Sequence, residues 1–398
     1  MSSPLAEVAA YNLSPLTSLL AIGAILAVGP ALWVWWRNRH GTVAQQRQAL
    51  RVFTLFLTFD LVIFGAFTRL TDSGLGCPDW PGCYGNHSPL GASAHINAAQ
   101  SVMPDGPVTH AKAWIEMLHR YLATGVGALI VWLTVLAWRD WLRQRRSVRQ
   151  TPEVLSGKPW LASVTLFWVC LQGAFGALTV TMKLFPAIVT LHLLGALVLL
   201  VLLCIPVVRH RSQACEPPAL GVAVGSLVLA CWGLLMLQAA LGGWVSSNYA
   251  VLACSDFPTC QGRWWPEMDF RQGFEVWRGL GLTSQGEHIG FAALTAIHYV
   301  HRLMAYLVLL LLMLLAWQLN RQPGWRVASR WLAGLLGLQL ATGLSNVVLG
   351  WPLLAALLHT GGAAALVLVL TWVAADMGWR VSMAHPLAHS AMQRRTSA

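Results

Sequence analysis

Charged residues are scarce in this sequence of 398 residues, since only 10% are Asp, Glu, Lys or Arg and lysine occurs three times. A typical soluble domain carries about 25% charged residues. Intrinsic disorder is excluded as well, because a disordered chain combines low hydrophobicity with high charge, whereas this one is 56% hydrophobic. The alternating pattern of membrane β-strands is also missing, since the apolar runs are continuous. The composition therefore predicts a polytopic helical membrane protein.

Nine apolar segments are each long enough to cross a hydrocarbon core of about 30 Å. They are residues 16–36, 52–70, 115–138, 160–181, 186–208, 219–246, 289–318, 327–350 and 352–376. We therefore predict an all-α membrane helix bundle. The first segment lacks the basic start of a signal peptide, so we expect an uncleaved, extra N-terminal transmembrane helix.

The basic residues between these segments are unevenly distributed. Of the 26 Lys and Arg residues, 18 fall on one side of the predicted bundle and six on the other. The positive-inside rule places the richer side in the cytoplasm. We therefore expect a protein of the bacterial inner membrane with its N-terminus outside, its C-terminus cytoplasmic, and loops 71–114 and 247–288 in the periplasm. Contact with the lipid bilayer explains the net charge of +11 without a nucleic-acid partner.

The last eight segments divide into two similar sets of four. The motif C-x-D-[aromatic]-P-x-C occurs twice, and so do the pair His-Arg and the motif H-x-x-G-A, in the same order. Equivalent residues are 167 to 182 positions apart. We therefore predict two pseudo-symmetric four-helix halves. The predicted divisions are the extra helix and a basic linker at 1–51, the halves at 52–215 and 216–380, and a cytoplasmic tail at 381–398.

Each half carries two histidines inside its apolar segments: His119 and His192 in the first, and His301 and His359 in the second. Ionisable residues within a membrane are costly and mark functional sites. Both members of a pair lie at similar depth near the outer leaflet. Two facing imidazoles at one depth are what bis-histidine ligation of a haem iron requires. Histidines that merely bond neighbouring helices together are the alternative.

The residue three positions before the first histidine differs between the halves. It is Glu116 in the first half and His298 in the second, and in both cases it shares a helix face with the histidine. A carboxylate beside a haem can act as a general base or stabilise positive charge. We therefore predict chemistry in the first half and an electron-transfer or structural haem in the second. An ion pair between Glu116 and a neighbouring basic residue is the alternative.

Other polar residues leave more than one interpretation open. Arg120 and Arg302 directly follow the first histidine of each half, where they could bind haem propionates or extend to lipid headgroups. Asp60 lies in the middle of an apolar segment and could belong to a proton path or bond to a neighbouring helix.

Two cysteine pairs lie on the predicted periplasmic side, Cys77 with Cys83 and Cys254 with Cys260. Five residues separate the cysteines of each pair, so each loop can close a disulfide, and periplasmic pairs are normally oxidised. A structural disulfide and a redox-active pair beside a haem both fit the pattern. Zinc bound by the four cysteines is a third alternative.

The run TRLTDSGLGCPDWPGCYG at 68–85, followed by EMLHR at 116–120 and two H-x-x-G-A motifs, resembles the haem A synthase family over about residues 50–376. The resemblance implies oxidation of the C8 methyl group of haem O to a formyl group through a hydroxymethyl intermediate. The product, haem A, would serve terminal cytochrome oxidase. The extra first helix departs from the family's eight-helix pattern.

The same resemblance implies a role for each candidate residue. His119 and His192 would bind the iron of the substrate haem O, beside Glu116 as the catalytic residue. His301 and His359 would bind the iron of a haem b cofactor. Cys77 and Cys83 would be a redox-linked pair. Haem O synthase and an electron-transfer protein are the implied partners.

Two other functions remain open from the sequence. A di-haem b membrane electron-transfer protein would also need paired histidines, but it would not explain a carboxylate in one half only or the repeated cysteine loops. A haem-handling chaperone would use weak, exchangeable ligation in both halves.

Overall fold

The computed structural model describes residues 13–146, 159–212 and 219–395, with only the backbone described at 211–212 and 378–395. These residues form α-helices joined by loops. The helices are α1 (Leu16–Arg37), α2 (Val43–Leu70), α3 (Ser93–Val102), α4 (His110–Arg146), α5 (Trp160–Thr181), α6 (Pro186–Ser212), α7 (Val222–Ser247), α8 (Phe270–Gly273), α9 (Phe291–Asn320), α10 (Arg326–Val348) and α11 (Leu353–Arg395). Two short 3₁₀ helices cover Ala250–Ala253 and Pro323–Trp325.

Nine of the helices in the described ranges are long and apolar enough to cross a membrane. They correspond one by one to the nine predicted segments, which confirms the all-α polytopic membrane bundle. No strand forms in those ranges, where β-pairing is limited to isolated bridges such as Cys83 with Asn86. The long loops contain helices that hydropathy did not predict, α3 in the first and the single turn α8 in the second.

The chain divides into two compact units, Met1–Leu199 with Glu275–Ile289 and Leu200–Phe274 with Gly290–Ala398. The division falls inside the continuous helix α6, where no break in hydropathy marks it, whereas the sequence placed a boundary after residue 215. In the first unit α4 packs against α1, α2, α3 and α5. In the second unit α9 packs against α7, α8 and α10. Each unit is therefore built around the helix that carries its His-Arg pair.

The extra helix α1 belongs to the first unit and packs against α4 through small residues. Gly23, Ala27 and Ala31 recur every four residues along one face, and both alanines are buried. A Cβ atom added to Gly23 would lie only 2.5 Å from the Cβ of Thr124, so glycine is required for this close approach. At the start of the helix, Leu19 joins the buried cluster around Cys77 and Cys83. The helix thus covers α4 and the first cysteine loop.

Helix α2 shows how polar residues are satisfied inside an apolar span. The helix begins with a capping box in which Thr42 and Gln45 exchange hydrogen bonds. The buried hydroxyls of Thr54 and Thr58 donate to carbonyls four residues earlier, at 2.8 and 2.7 Å. Because the helix backbone supplies these acceptors, no partner helix is needed to satisfy the two hydroxyls.

Candidate functional site

The four membrane histidines lie on four different helices, two in each unit. His119 on α4 and His192 on α6 are close enough to interact electrostatically in the first unit. His301 on α9 and His359 on α11 do the same in the second. All four side chains are half-buried, so part of each residue stays accessible. The structure therefore brings together the predicted pairs, while their role as iron ligands stays a prediction.

A glycine on the preceding membrane-spanning helix faces each of these imidazole rings. A Cβ atom added to each glycine would lie close to Cε1 of the ring that it faces. The distance would be 3.0 Å for Gly65 and His119, 3.6 Å for Gly176 and His192, 3.1 Å for Gly242 and His301, and 3.3 Å for Gly343 and His359. Sequence reasoning missed these glycines, although their separations of 177 and 167 residues match those of the repeated motifs. Glycine leaves room beside the ring where a larger side chain would press on it.

The surroundings of the ring nitrogen Nδ1 differ between the units. In the second unit Nδ1 of His301 lies 3.1 Å from the side-chain amide of Gln238, and Nδ1 of His359 lies 3.0 Å from the hydroxyl of Thr342. In the first unit Nδ1 of His119 and of His192 is buried without a hydrogen-bond partner. The ring of His119 instead stacks on Phe64, with centroids 6.1 Å apart.

Glu116 is buried one turn before His119 and is held from two sides. Arg120 donates a hydrogen bond to Oε1 at 2.5 Å, and the backbone N–H of Cys77 donates to Oε2 at 2.8 Å. The predicted alternative of an ion pair with a neighbouring basic residue is therefore present, and Arg120 is the partner. The carboxylate is fixed between α4 and the first cysteine loop.

Each arginine that follows a first histidine clamps the cysteine loop of its own unit. Arg120 donates to the carbonyls of Asp79, Pro81 and Gly82. Arg302 donates to the carbonyls of Cys254, Asp256 and Thr259. This loop contact was not foreseen, and binding of a haem propionate by either arginine stays a prediction.

The second unit has an imidazole where the first has the carboxylate. His298 is buried, and its Nε2 accepts a hydrogen bond from Nε of Arg302 at 3.2 Å. His298 is thus a neutral partner of the clamp arginine. Asp60, in contrast, is exposed on α2.

Both cysteine loops are closed by disulfides, Cys77–Cys83 and Cys254–Cys260, as expected from the spacing. No thiolate of these four cysteines is then left for zinc. In the described part of the chain, no group of three His, Cys, Asp or Glu residues could hold a metal ion.

The aspartate of the repeated motif organises the turn that follows it. Asp79 accepts the N–H groups of Tyr84 and Gly85 at 2.6 and 2.7 Å. Asp256 accepts those of Gln261 and Gly262 at 2.6 and 3.0 Å. The four donor residues have positive φ angles of 49° to 71°. In this backbone conformation, the chain turns so that two successive N–H groups point to one acceptor.

The second aspartate has one further bond. The hydroxyl of Thr259, followed by the backbone N–H groups, holds the pKa of Asp256 below its usual value. The sequence showed that this aspartate recurs in both loops, but only the geometry assigns it a role.

A family of cytochrome oxidase assembly proteins, COX15-CtaA, matches residues 48–371. The haem A synthase of Shewanella oneidensis is 38% identical over 321 residues, covering 80% of this chain and 93% of that protein. The haem A synthase of Caulobacter vibrioides is 30% identical over 352 residues, 82% of this chain and 93% of that protein. The chain belongs to the haem A synthase family.

More distant members agree with this placement. The haem A synthase of Halalkalibacterium halodurans is 28% identical over 323 residues, 78% of this chain and 91% of that protein. The family match includes all four membrane histidines, Glu116 and both cysteine loops, whereas α1 precedes it. The resemblance noted in the sequence is confirmed, and the chain is an integral membrane protein.

Proposed function

We propose that this protein makes haem A by oxidising the C8 methyl group of haem O to a formyl group through a hydroxymethyl intermediate. One observation carries the proposal. Each unit holds a pair of membrane histidines, but only the first pair has a carboxylate, that of Glu116, one turn away on the same helix. The relatives support this product over a di-haem electron-transfer protein or a haem chaperone, since they are named haem A synthases.

His119 and His192 are the proposed ligands of the substrate iron, and His301 and His359 those of a resident haem b. The residues fit such groups, because each half-buried ring is given room by a glycine and each pair supplies two imidazoles. When bound, haem b supplies one-electron redox chemistry for the electrons released by methyl oxidation.

Glu116 is the proposed catalytic residue. Arg120 and the N–H of Cys77 orient its carboxylate before any substrate binds, so no reorientation is needed during the reaction. A carboxylate can accept about four hydrogen bonds, which leaves lone pairs on both oxygens. We propose that Glu116 takes up a proton as the methyl group is oxidised, or stabilises positive charge at the reacting carbon.

The membrane location suits a substrate with a long isoprenoid tail, because the tail can stay in lipid. We propose that the protein lies in the bacterial inner membrane with loops 71–114 and 247–288 in the periplasm, its N-terminus outside and its C-terminus in the cytoplasm. An oxidising compartment for both loops agrees with their disulfides. The proposed partners are haem O synthase, which would supply the substrate, and an electron-transfer protein.

Extraction of pigment from the purified full chain tests this function. The expected products are haem b together with haem O, its hydroxymethyl derivative or haem A, whereas a plain cytochrome would yield haem b alone. His301→Ala should lose the haem b signal, and His119→Ala should keep haem b but lose haem A. The matched control is His288→Ala, an exposed loop histidine that should leave both pigments unchanged.

Two outcomes would reject the proposal. One is purified protein without haem absorbance from cells that make haem O. The other is a pigment composition that neither His119→Ala nor His301→Ala alters.

A further inference from the structure

The two histidine pairs are held differently, because the residues at equivalent helix positions differ between the units. Gln238, whose amide meets the ring of His301, stands four residues before Gly242 on α7. The residue four before Gly65 on α2 is Leu61, which has no hydrogen-bonding side chain. The first unit therefore lacks the polar partner at the matching helix position.

The second histidine of each pair shows the same contrast. Thr342, which contacts Nδ1 of His359, directly precedes Gly343 on α10. Phe175 directly precedes Gly176 on α5. Two polar partners in the second unit are thus replaced by two apolar residues in the first, where both Nδ1 atoms are buried without a partner.

The hydrogen bonds of Thr342 indicate the tautomer of His359. The single hydroxyl proton of Thr342 is donated to the carbonyl of Leu338 at 2.7 Å. Its oxygen is then the acceptor for the Nδ1–H of His359, 3.0 Å away. A proton on Nδ1 leaves the lone pair on Nε2 free for an iron atom.

Gln238 holds the ring of His301 in a different way. Its NH₂ nitrogen lies 3.1 Å from Nδ1 of the ring and donates to the backbone carbonyl of His301 at 3.2 Å. The two amide protons can serve both acceptors at once. Gln238 therefore links the ring of His301 to its own backbone and limits rotation of the ring.

A hydrogen bond from the second ring nitrogen has known effects on a metal-bound histidine. It fixes the tautomer and ring orientation and makes the ligand more basic, and its loss typically costs about 10–100-fold in affinity or activity. A ring without this bond is a weaker ligand that rotates more freely. Such a ligand suits a group that must leave after each reaction.

We propose that Gln238 and Thr342 are positioning residues that make the second pair a permanent haem ligand set, and that Leu61 and Phe175 keep the first pair releasable. The inference rests on the proposed function, since it assumes haem b in the second unit and a transient haem in the first. It assigns retention to two residues that contact the ligand rings, and release to the apolar residues at the matching helix positions.

Haem loss from the full chain in detergent, with excess apomyoglobin as the haem acceptor, tests the second unit. The double variant Gln238→Leu with Thr342→Val should lose haem b about 10–100-fold faster than the unaltered protein. Its haem b midpoint potential should rise, because a less basic ligand stabilises ferric iron less. The control is Thr342→Ser alone, which keeps both the hydroxyl and Gln238. It should release haem b at the rate of the unaltered protein and have the same midpoint potential.

The reverse change tests the first unit. Leu61→Gln installs an amide at the position that matches Gln238, so the first-unit haem should be released to apomyoglobin about 10-fold more slowly. The haem b spectrum and potential should stay unchanged, which separates this effect from a general change in folding.

The outcomes separate this inference from the proposed function. Unaltered protein without haem b in the second unit would overturn both. Unaltered protein with haem b, together with a double variant of the same release rate and potential, would overturn the positioning role alone. A Leu61→Gln variant that releases its first-unit haem at the original rate would overturn the part concerning release.

Discussion

Replacing the glycines that face the membrane histidines by alanine should weaken haem binding in a graded way. Nonbonded carbon atoms pack best about 3.5–4.0 Å apart. An added Cβ at Gly242 would lie 3.1 Å from Cε1 of His301, so the ring must move. At Gly176 the corresponding distance to His192 is 3.6 Å, an ordinary contact.

Two contributions act on different quantities. Alanine in place of glycine inside a helix raises the free energy of unfolding by about 0.5–1 kcal/mol. An extra carbon forced into a packed site costs about 1–3 kcal/mol, and at Gly242 the group that must move is a proposed haem ligand. Gly242→Ala should therefore weaken haem b binding by about 1–3 kcal/mol, which is roughly 5–150-fold. On the same helix, nothing lies within 4 Å of an added Cβ at Gly233, so Gly233→Ala should keep only the favourable contribution.

The assay is haem b per chain after purification, with thermal unfolding of each variant. Gly242→Ala should retain least haem b, Gly343→Ala an intermediate amount, and Gly233→Ala as much as the unaltered protein. In the first unit Gly65→Ala should lower haem A formation more than Gly176→Ala does. Equal haem b in Gly242→Ala and Gly233→Ala would refute the reasoning that the glycine contact sets the ligand position.

Three further predictions concern the first cysteine loop and its contacts. Glu116→Gln should keep both haems but lower haem A formed per bound haem O by about 10²–10⁴; a purely structural role would instead lower haem content with unchanged turnover per loaded chain. Arg120→Ala leaves a buried carboxylate without its partner and should lower the free energy of unfolding by about 3–5 kcal/mol. Arg302→Ala, which removes bonds to carbonyls and an imidazole, is its control and should cost less in the same denaturant titration. Cys77→Ser with Cys83→Ser should cost about 2 kcal/mol by loop entropy, and alkylation with mass spectrometry should find no free thiol at either position in the unaltered protein.

Hydropathy predicted the membrane spans well, because each helix must be apolar enough to cross the membrane on its own. A helix must be apolar over about 20 residues to cross lipid, whatever its neighbours are. The helices in the long loops were missed, because no long apolar run marks them in the sequence. Helix α3 is short and only weakly apolar, and the single turn of α8 depends on the cap formed by Asp269, whose side chain accepts the N–H of Gln272.

The candidate site was predictable as far as the internal repeat reached. Repeated motifs paired the four histidines and set Glu116 against His298, because equivalent positions can be compared without a structure. The glycines that face the rings follow the same separations, but a single glycine in an apolar helix carries no signal of its own.

The sequence alone determined the predicted spans, the two histidine pairs, the carboxylate of Glu116 beside one of these pairs, and both cysteine pairs. Residue type and spacing express these features directly. Only the tertiary structure decided the partners of these residues. It placed Arg120 between Glu116 and the cysteine loop, packed α1 against α4, and bonded Gln238 and Thr342 to two rings while leaving the other two without partners. The physical reason is that a hydrogen bond needs two groups within about 3 Å at a suitable angle, and helices distant in sequence meet that condition only after they have packed.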